Sequence, residues 1–169
     1  MTSKLKTDVL ETVSGSGTIA LTNQLSGMTS ASVPSGSVLQ VLIVEDSTNM
    51  TLSSGTYTDT NLTLSITPSS TSNKILAMWG IQGYSEVAGC GWGTQLVRDS
   101  TNVFTTSTQY HQYWSSDSNG KRNSSEHKHL DSPNTTSAVT YKVQVSTYQN
   151  KTCVFNESQT QLVLMEIKG

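Results

Sequence analysis

The sequence predicts an all-β protein, an antiparallel β-sandwich or jelly roll that is preceded by a short extended β-arm. Three observations favour this class. No apolar stripe with a period of 3.6 residues persists for three turns, so helices are not expected. Eight or nine short segments with strand-like alternation recur about every 10–14 residues between positions 36 and 169. Clusters of Gly, Pro, Asn, Asp and Ser separate these segments, as turns require.

The first part of the predicted sandwich comprises three strands, two before and one after the turn that contains Pro68. A β-branched apolar run at 38–44 predicts a strand that ends at the polar turn 45–47. Residues 57–66 alternate polar and apolar side chains and predict a second strand with one buried face. The turn-forming segment 67–73 then leads into a long alternating strand at 74–84.

Glycine and polar residues shape the predictions for the middle of the chain. Residues 89–93 are too rich in glycine for a regular interior strand, so we expect this segment to bend or to approach another backbone closely. A hairpin follows, with strands at 94–98 and 103–105. The polar stretch 115–125 has no apolar anchor and predicts an exposed loop.

The last third of the chain predicts four more strands, at 126–130, 138–148, 152–155 and 161–167. The last of these is the most apolar, so we expect it to lie in the centre of a sheet and to close the fold.

The first 35 residues differ from the rest, and we predict two parts, an extended anchoring and trimerisation arm at 1–35 and a jelly-roll head at 36–169. Apolar residues in the arm are too sparse to close a core, and Ser/Gly-rich joints at 14–17 and 26–34 interrupt it. An extended arm with an unpaired edge favours docking or oligomerisation. The predicted anchoring residues are Leu5, Val9, Val13, Ile19 and Leu21.

Composition argues against several functional classes. The 169 residues include 27 serines and 25 threonines, while hydrophobic residues make up 34% and charged residues 13%, both below ordinary globular usage. A net charge of −2 does not suit nucleic-acid binding. No apolar run is long enough to span a bilayer, and the beginning of the sequence lacks the apolar core of a signal peptide, so we expect neither membrane insertion nor secretion.

The two cysteines, Cys90 and Cys153, follow neither a metal-ligand spacing nor a Cys-x-x-Cys redox pattern. We expect both thiols to be reduced and part-buried. A structural disulfide is the less favoured alternative, because it requires Cα atoms within about 7 Å of each other, which the sequence does not establish.

Four segments, in order along the chain, carry a resemblance to a known group of proteins. They are the opening 3–19, which contains Leu5-Lys6-Thr7-Asp8, the proline-glycine entry 34–41, the turn-bearing segment 64–76, and 130–144 together with the terminal 162–167. These segments resemble a domain of tailed-phage structural proteins, especially those of marine and cyanobacterial phages. The opening is similar to the start of many fibre-like virion proteins.

The resemblance implies a trimeric jelly-roll head of the tumour-necrosis-factor-like shape on the virion surface, attached to capsid or tail proteins through its arm. Such domains occur on tail fibres and on capsids alike, so two roles remain open. One is a tail or head fibre that binds the host surface. The other is a capsid decoration protein that stabilises the head shell, which the lack of a fibre shaft favours.

Aromatic residues next to the polar stretch 115–125 are the best candidates for contact with a host glycan or protein. Aromatic rings lose little entropy on binding, and cations beside them add hydrogen-bond donors. The alternative is that these rings pack in the core or in a trimer interface. The predicted host-contact residues are Tyr110, Tyr113, Trp114, Lys121 and Arg122.

Metal binding and catalysis are the weaker predictions. His127 and His129 are two residues apart, so on a strand both rings face the same side, and a trimer axis would bring six ring nitrogens together. A solvent-facing strand is the favoured alternative, and we predict no metal and no cofactor. The sequence lacks the Gly-x-Ser-x-Gly elbow of hydrolases, and we predict a protein without catalytic residues.

Overall fold

The structure, a computed structural model, describes residues 33–106, 111–115, 120–156 and 159–169. Within these ranges the chain forms eleven strands and a 3-10 turn at Tyr148–Asn150, and no α-helix. The strands are β1 (Val38–Asp46), β2 (Met50–Leu52), β3 (Thr58–Ile66), β4 (Lys74–Ser85), β5 (Cys90–Arg98), β6 (Thr101–Thr105), β7 (Gln112–Trp114), β8 (Lys121–Asp131), β9 (Val139–Thr147), β10 (Cys153–Phe155) and β11 (Thr160–Ile167). The predicted all-β class is confirmed.

The strands form two antiparallel sheets that pack face to face. The six-stranded sheet has the order β1-β11-β4-β10-β2, and β8 pairs with the other edge of β4. The five-stranded sheet has the order β3-β9-β5-β6, and β7 pairs with the start of β5. The principal pairs β1–β11, β3–β9, β4–β8 and β5–β6 are nested in sequence, as in a jelly roll. The predicted sandwich is therefore confirmed, and β11 lies between β1 and β4, as expected for the most apolar strand.

The core lies between the two sheets and follows from the alternation of the strands. Inward positions of β4 are buried while its outward positions are partly exposed, which is the period-two pattern of a half-buried strand. Strands β9 and β11 repeat this pattern. The largest fully buried aromatic side chains are Trp79, Trp92, Tyr141 and Phe155.

The expectation of an irregular chain at 89–93 is confirmed for Gly89, which lies in a turn with a φ of 65°, and is wrong from Cys90 onward. Strand β5 begins at Cys90 and is a regular interior strand, paired with β9 on one side and with β6 and β7 on the other. Trp92 points into the core, and Gly83 of β4 makes room for its ring, because a Cβ at Gly83 would lie 2.8 Å from Trp92 Cε2. Hydrogen-bonded neighbours on both sides keep this glycine-rich segment extended.

The expectation of a loop over 115–125 is wrong for its second half. Strand β8 begins at Lys121 and pairs with the whole of β4, from Ser85 opposite Lys121 to Ile75 opposite Asp131. Its first inward side chains are polar, and the buried Ser125 hydroxyl is hydrogen-bonded to His127 Nε2 at 3.0 Å. Main-chain pairing with β4 and this local bond hold a strand that has no apolar anchor at this end.

The strands described here belong to a compact unit that begins at Pro34. The predicted arm, with Leu5, Val9, Val13, Ile19 and Leu21, lies outside the described residues, and the division into arm and head stays a prediction. Cys90 and Cys153 are free thiols, and both are fully buried rather than part-buried.

Candidate functional site

The outer face of the five-stranded sheet is polar. Gln144 on β9 donates a hydrogen bond to Asp59 on β3 at 2.5 Å, and Gln95 on β5 donates one to Gln144 in turn. Lys142 forms an ion pair with Asp59 at 2.8 Å, and its hydrogen bond lowers the pKa of the Asp59 carboxyl below the usual range. A continuous ladder of paired polar groups of this kind suits contact with water.

The outer face of the six-stranded sheet is apolar at one end. The strand registers place side chains of β1, β11, β4 and β8 in two adjacent rows on this face. Three of these side chains are about half exposed, Val41 and Ile43 at 54% each and Leu130 at 49%. We call this surface the apolar face, and it consists of Val41, Ile43, Leu76, Met78, Leu130, Val163 and Met165.

A groove of about 470 Å³ adjoins the apolar face. Gly80 lies in its floor, opposite Gln161 on β11 and Glu126 on β8. Because Gly80 has no side chain, the sheet surface is lowered between these two longer residues. Met78 and Lys128 belong to the same lining, so the groove joins the apolar face to the polar half of the sheet.

Three of the five predicted host-contact residues, Tyr113, Lys121 and Arg122, lie at the end of the sandwich where β4 turns into β5. Tyr113 on β7 is 46% exposed, and its ring meets the ring of Tyr148 edge-on at 5.7 Å. Arg122 on β8 lies over the ring of Tyr84 at 4.4 Å, and the exposed Lys121 precedes it. We call this end of the sandwich the tyrosine end; it carries two separate pairs, Tyr113 with Tyr148 and Tyr84 with Arg122, which belong to different sheets, together with Lys121.

The structure describes the other two predicted contact residues only in part or not at all. Tyr110 lies outside the described residues, and Trp114 is placed by its main chain, which pairs with Cys90. Tyr84 and Tyr148 were missed by the sequence reasoning, although each ends a segment whose alternation was recognised. Period two places Tyr84 on the outward side of β4, which is a signal that the sequence contains.

The two predicted histidine ligands lie on the same side of β8. His127 and His129 pair with Trp79 and Ala77 of β4, so their rings point inward. The His127 ring stacks on Trp79 at 5.3 Å, and burial and then the neighbouring His111 lower its pKa. Both rings are part-buried rather than fully exposed, and the metal ring at a trimer axis stays a prediction. In the part of the chain that the structure describes, no three His, Cys, Asp or Glu side chains are arranged to hold a metal.

Two buried carboxylates are fully engaged in holding the fold. Asp131 accepts hydrogen bonds from Arg98 at 2.5 Å and from Tyr141 at 2.6 Å. Burial and then the Asp131 carboxylate raise the pKa of the Tyr141 hydroxyl far above its usual value. Glu166 is 1% exposed and accepts bonds from three residues, Gln40, Ser69 and Asn73. These groups act as acceptors that tie strands together.

The fold and its two unlike outer faces define a jelly-roll sandwich with a candidate interface on one sheet. Among the described residues there is no helix with the length and apolar character needed to cross a membrane. No protein-family model matches the sequence, and no curated protein matches it.

Several solved structures are similar in fold. One from the infectious bursal disease virus Gx strain is 16% identical, with a TM-score of 0.46, over 77% of this chain and 32% of that chain. The VP2 subviral particle of the same virus is 14% identical, with a TM-score of 0.40, over 77% of this chain and 38% of that chain. Latent PorU from Porphyromonas gingivalis is 11% identical, with a TM-score of 0.39, over 76% of this chain and 13% of that chain. The chain spans less than half of each of these proteins, and likenesses this weak carry no argument about function.

Proposed function

We propose that the chain is a non-enzymatic surface protein of a tailed-phage virion. It is a homotrimeric head of the fibre type that attaches to other virion proteins through residues 1–35 and exposes loops to the host surface. Four segments that resemble tailed-phage structural proteins support the virion assignment. The structural observation that carries the proposal is the apolar face, because a solitary head would leave it in water.

The occupant of the apolar face is a second copy of this chain. The flat area of the surface formed by β1, β11, β4 and β8 is roughly 570 Å², for four strands about 4.8 Å apart and about nine residues long at about 3.3 Å per residue. Because side chains project from the sheet, the solvent-accessible area is larger than this flat area. A stable interface buries about 800 Å² per partner. The outer face of these four strands therefore approaches the size of an interface, and its two apolar rows form one part of that area.

Charges on the two edges of this sheet favour a cyclic arrangement. Strand β1 forms one edge and carries the exposed Glu45, whereas β8 forms the other and carries Glu126 and Lys128 outward. Contact of β1 in one copy with β8 in the next, offset by one row, would bring Glu45 to Lys128 rather than to Glu126. Repeating this contact around a threefold axis closes the assembly without a free face.

The tyrosine end is the proposed site of host contact. Tyr84, Tyr113 and Tyr148 offer ring faces and hydroxyls, while Lys121 and Arg122 add cations. This combination suits sugar rings and acidic groups on a host polysaccharide, or a polar protein surface. Strand β4 contributes Leu76 and Met78 to the apolar face and Tyr84 to the tyrosine end, so the two surfaces share this strand.

A capsid decoration protein is the second candidate. The resemblance to tailed-phage structural proteins is compatible with this role too, because such domains occur on tail fibres and on capsids alike. In that role the arm would bind the capsid by adding a strand to it.

Immunogold labelling of purified particles of the phage that encodes the chain tests the proposal. The antibody is raised against the folded protein and shown to bind it in solution. Gold on the tail supports the host-binding fibre, and gold on the head supports the decoration protein or a head fibre. Particles without gold would contradict a virion protein.

A further inference from the structure

Two sulfur atoms from opposite sheets meet in the core. Cys90 begins β5 of the five-stranded sheet, and Cys153 begins β10 of the six-stranded sheet. They are 63 residues apart in sequence, yet their Sγ atoms are 2.8 Å apart. This separation is only about 0.8 Å longer than a disulfide bond. Both side chains are completely buried.

A ring contact and a hydrogen bond next to the two cysteines hold their strands close together. Trp92 and Phe155 each follow a cysteine by two residues, so each shares the inward face of its strand, and their rings meet edge-on at 5.6 Å. The Ser85 hydroxyl donates to the Thr152 carbonyl at 2.7 Å, which fixes the chain just before Cys153. The sulfur atoms are thus brought together by packing on both sides of the pair.

We propose that Cys90 and Cys153 form an inter-sheet disulfide when the chain folds in the presence of an oxidant such as a small-molecule disulfide. During folding, one of the two cysteine thiolates attacks one sulfur of the small disulfide, breaks its S–S bond and releases one small thiolate, which takes up a proton. The thiolate of the other cysteine then attacks the sulfur of this mixed disulfide that belongs to the protein, and releases the second small thiol. The protein loses two electrons and two protons, and one small disulfide becomes two thiols.

In the folded head the two thiols are held together by a hydrogen bond. The hydrogen bond from Cys153 lowers the pKa of the Cys90 thiol, against the opposing effect of burial, and the positive charge of Lys151 contributes in the same direction. The hydrogen bond to Cys90 and burial raise the pKa of Cys153. In the folded head this hydrogen bond favours a Cys90 thiolate beside a protonated Cys153.

The bond would join the sheets next to the tyrosine end. Cys90 pairs with Trp114 of β7, and Cys153 pairs with Leu52 of β2, so the link lies beneath the short strands at this end. This inference does not rest on the virion assignment, since it concerns only the folded head.

The experiment refolds the full chain from denaturant with oxidised glutathione or with dithiothreitol. Each sample is then denatured again, alkylated and weighed by mass spectrometry. We expect two alkyl groups on the reduced protein and none on the oxidised one, whose mass falls by two hydrogen atoms. A protease digest of the oxidised protein should contain a peptide that joins residues 90 and 153.

Unfolding in guanidinium provides the second measurement. The oxidised protein should unfold at a higher midpoint than the reduced one, and dithiothreitol should remove the difference. The C90A/C153A variant should unfold at the same midpoint under both conditions. Two alkylated cysteines in the oxidised folded protein, glutathione on either cysteine, or a bond between two chains would overturn the proposal. None of these results depends on where the protein is found in a particle.

Discussion

Glu166 is a buried carboxylate that the surrounding residues keep charged. It accepts hydrogen bonds from the Ser69 main-chain N–H and the Asn73 side chain at 2.6 Å each, and from Gln40 at 2.6 Å. Burial alone would raise its pKa, but the bonds from Asn73, Gln40 and Ser69 outweigh burial and lower it below 4.5. Glu166 thereby fastens β11 to β1 and to the turn before β4.

The lowered pKa of Glu166 predicts a loss of stability in acid. The contribution is fully present above the unfolded pKa of 4.5 and is lost as the pH falls through the lower folded value. Replacing Glu166 with Gln should cost about 1–3 kcal/mol at pH 7, because buried donors lose a charged acceptor.

Urea unfolding between pH 7 and pH 3 measures this effect. Asp46 and Asp59 also have lowered pKa values and contribute in the same range, so the wild type is compared with Glu166→Gln. We expect the stability difference between the two proteins to shrink below about pH 4.5. An unchanged difference across the whole range would contradict this account of Glu166.

At the scale of elements, β4 connects the core with both candidate surfaces. Its inward residues fill the core, while its outward residues pass from Leu76 and Met78 through Gly80 to Tyr84. Two glycines on this strand face different surroundings. A Cβ at Gly83 would lie 2.8 Å from Trp92 Cε2, whereas a Cβ at Gly80 would lie 3.7 Å from Glu126 Cγ.

These surroundings predict opposite outcomes for the same substitution. Gly83→Ala should destabilise the protein by roughly 1–3 kcal/mol, because the buried indole has no room to move. Gly80→Ala should stay within about 0.5 kcal/mol of the wild type, since it places a methyl group in ordinary contact on the groove floor. Thermal unfolding of both variants checks the pair, and equal losses would contradict the packing of Trp92 over Gly83.

The strands β7 and β8 carry the proposed host-contact residues. Tyr113→Ala and Arg122→Ala should each reduce binding to host cells by about tenfold or more, because stacked rings and cations in contact sites contribute on the order of 1–2 kcal/mol. Thr63→Ala, on the polar outer face, is the matched control and should bind as the wild type does. Binding of fluorescent protein to cells measures the effect, and unchanged binding by both test variants would exclude the tyrosine end.

Alternation of apolar and other side chains predicted most strands, because a strand with one buried face has an apolar residue at every second position. Ile75, Ala77 and Trp79 on β4 are an example. The regular course of β5 was missed because the space for Trp92 comes from Gly83, on a strand in the other sheet. The apolar face was missed for a related reason. The run at 38–44 has apolar side chains at almost every position, which predicts burial on both faces, and the sequence does not say what covers the outer one.

At the scale of the whole molecule, the two outer faces of the sandwich are unequal. The face of the five-stranded sheet has its polar groups paired in a ladder from Asp59 to Gln95, whereas the other sheet exposes Val41, Ile43 and Leu130. A head that met water on both faces would be expected to carry polar side chains on both. The unequal faces therefore support the proposed assembly through the six-stranded sheet.

The molar mass of the full chain in solution, measured by light scattering during size-exclusion chromatography, tests this claim most directly. We expect the wild type to have three times the 18.2 kDa mass of the single chain. Ile43→Glu, which places a charge in the apolar face, should be a folded monomer, while the control Thr63→Glu on the polar face should remain a trimer. A monomeric wild type, or an Ile43→Glu variant that is still trimeric, would contradict assembly through the apolar face.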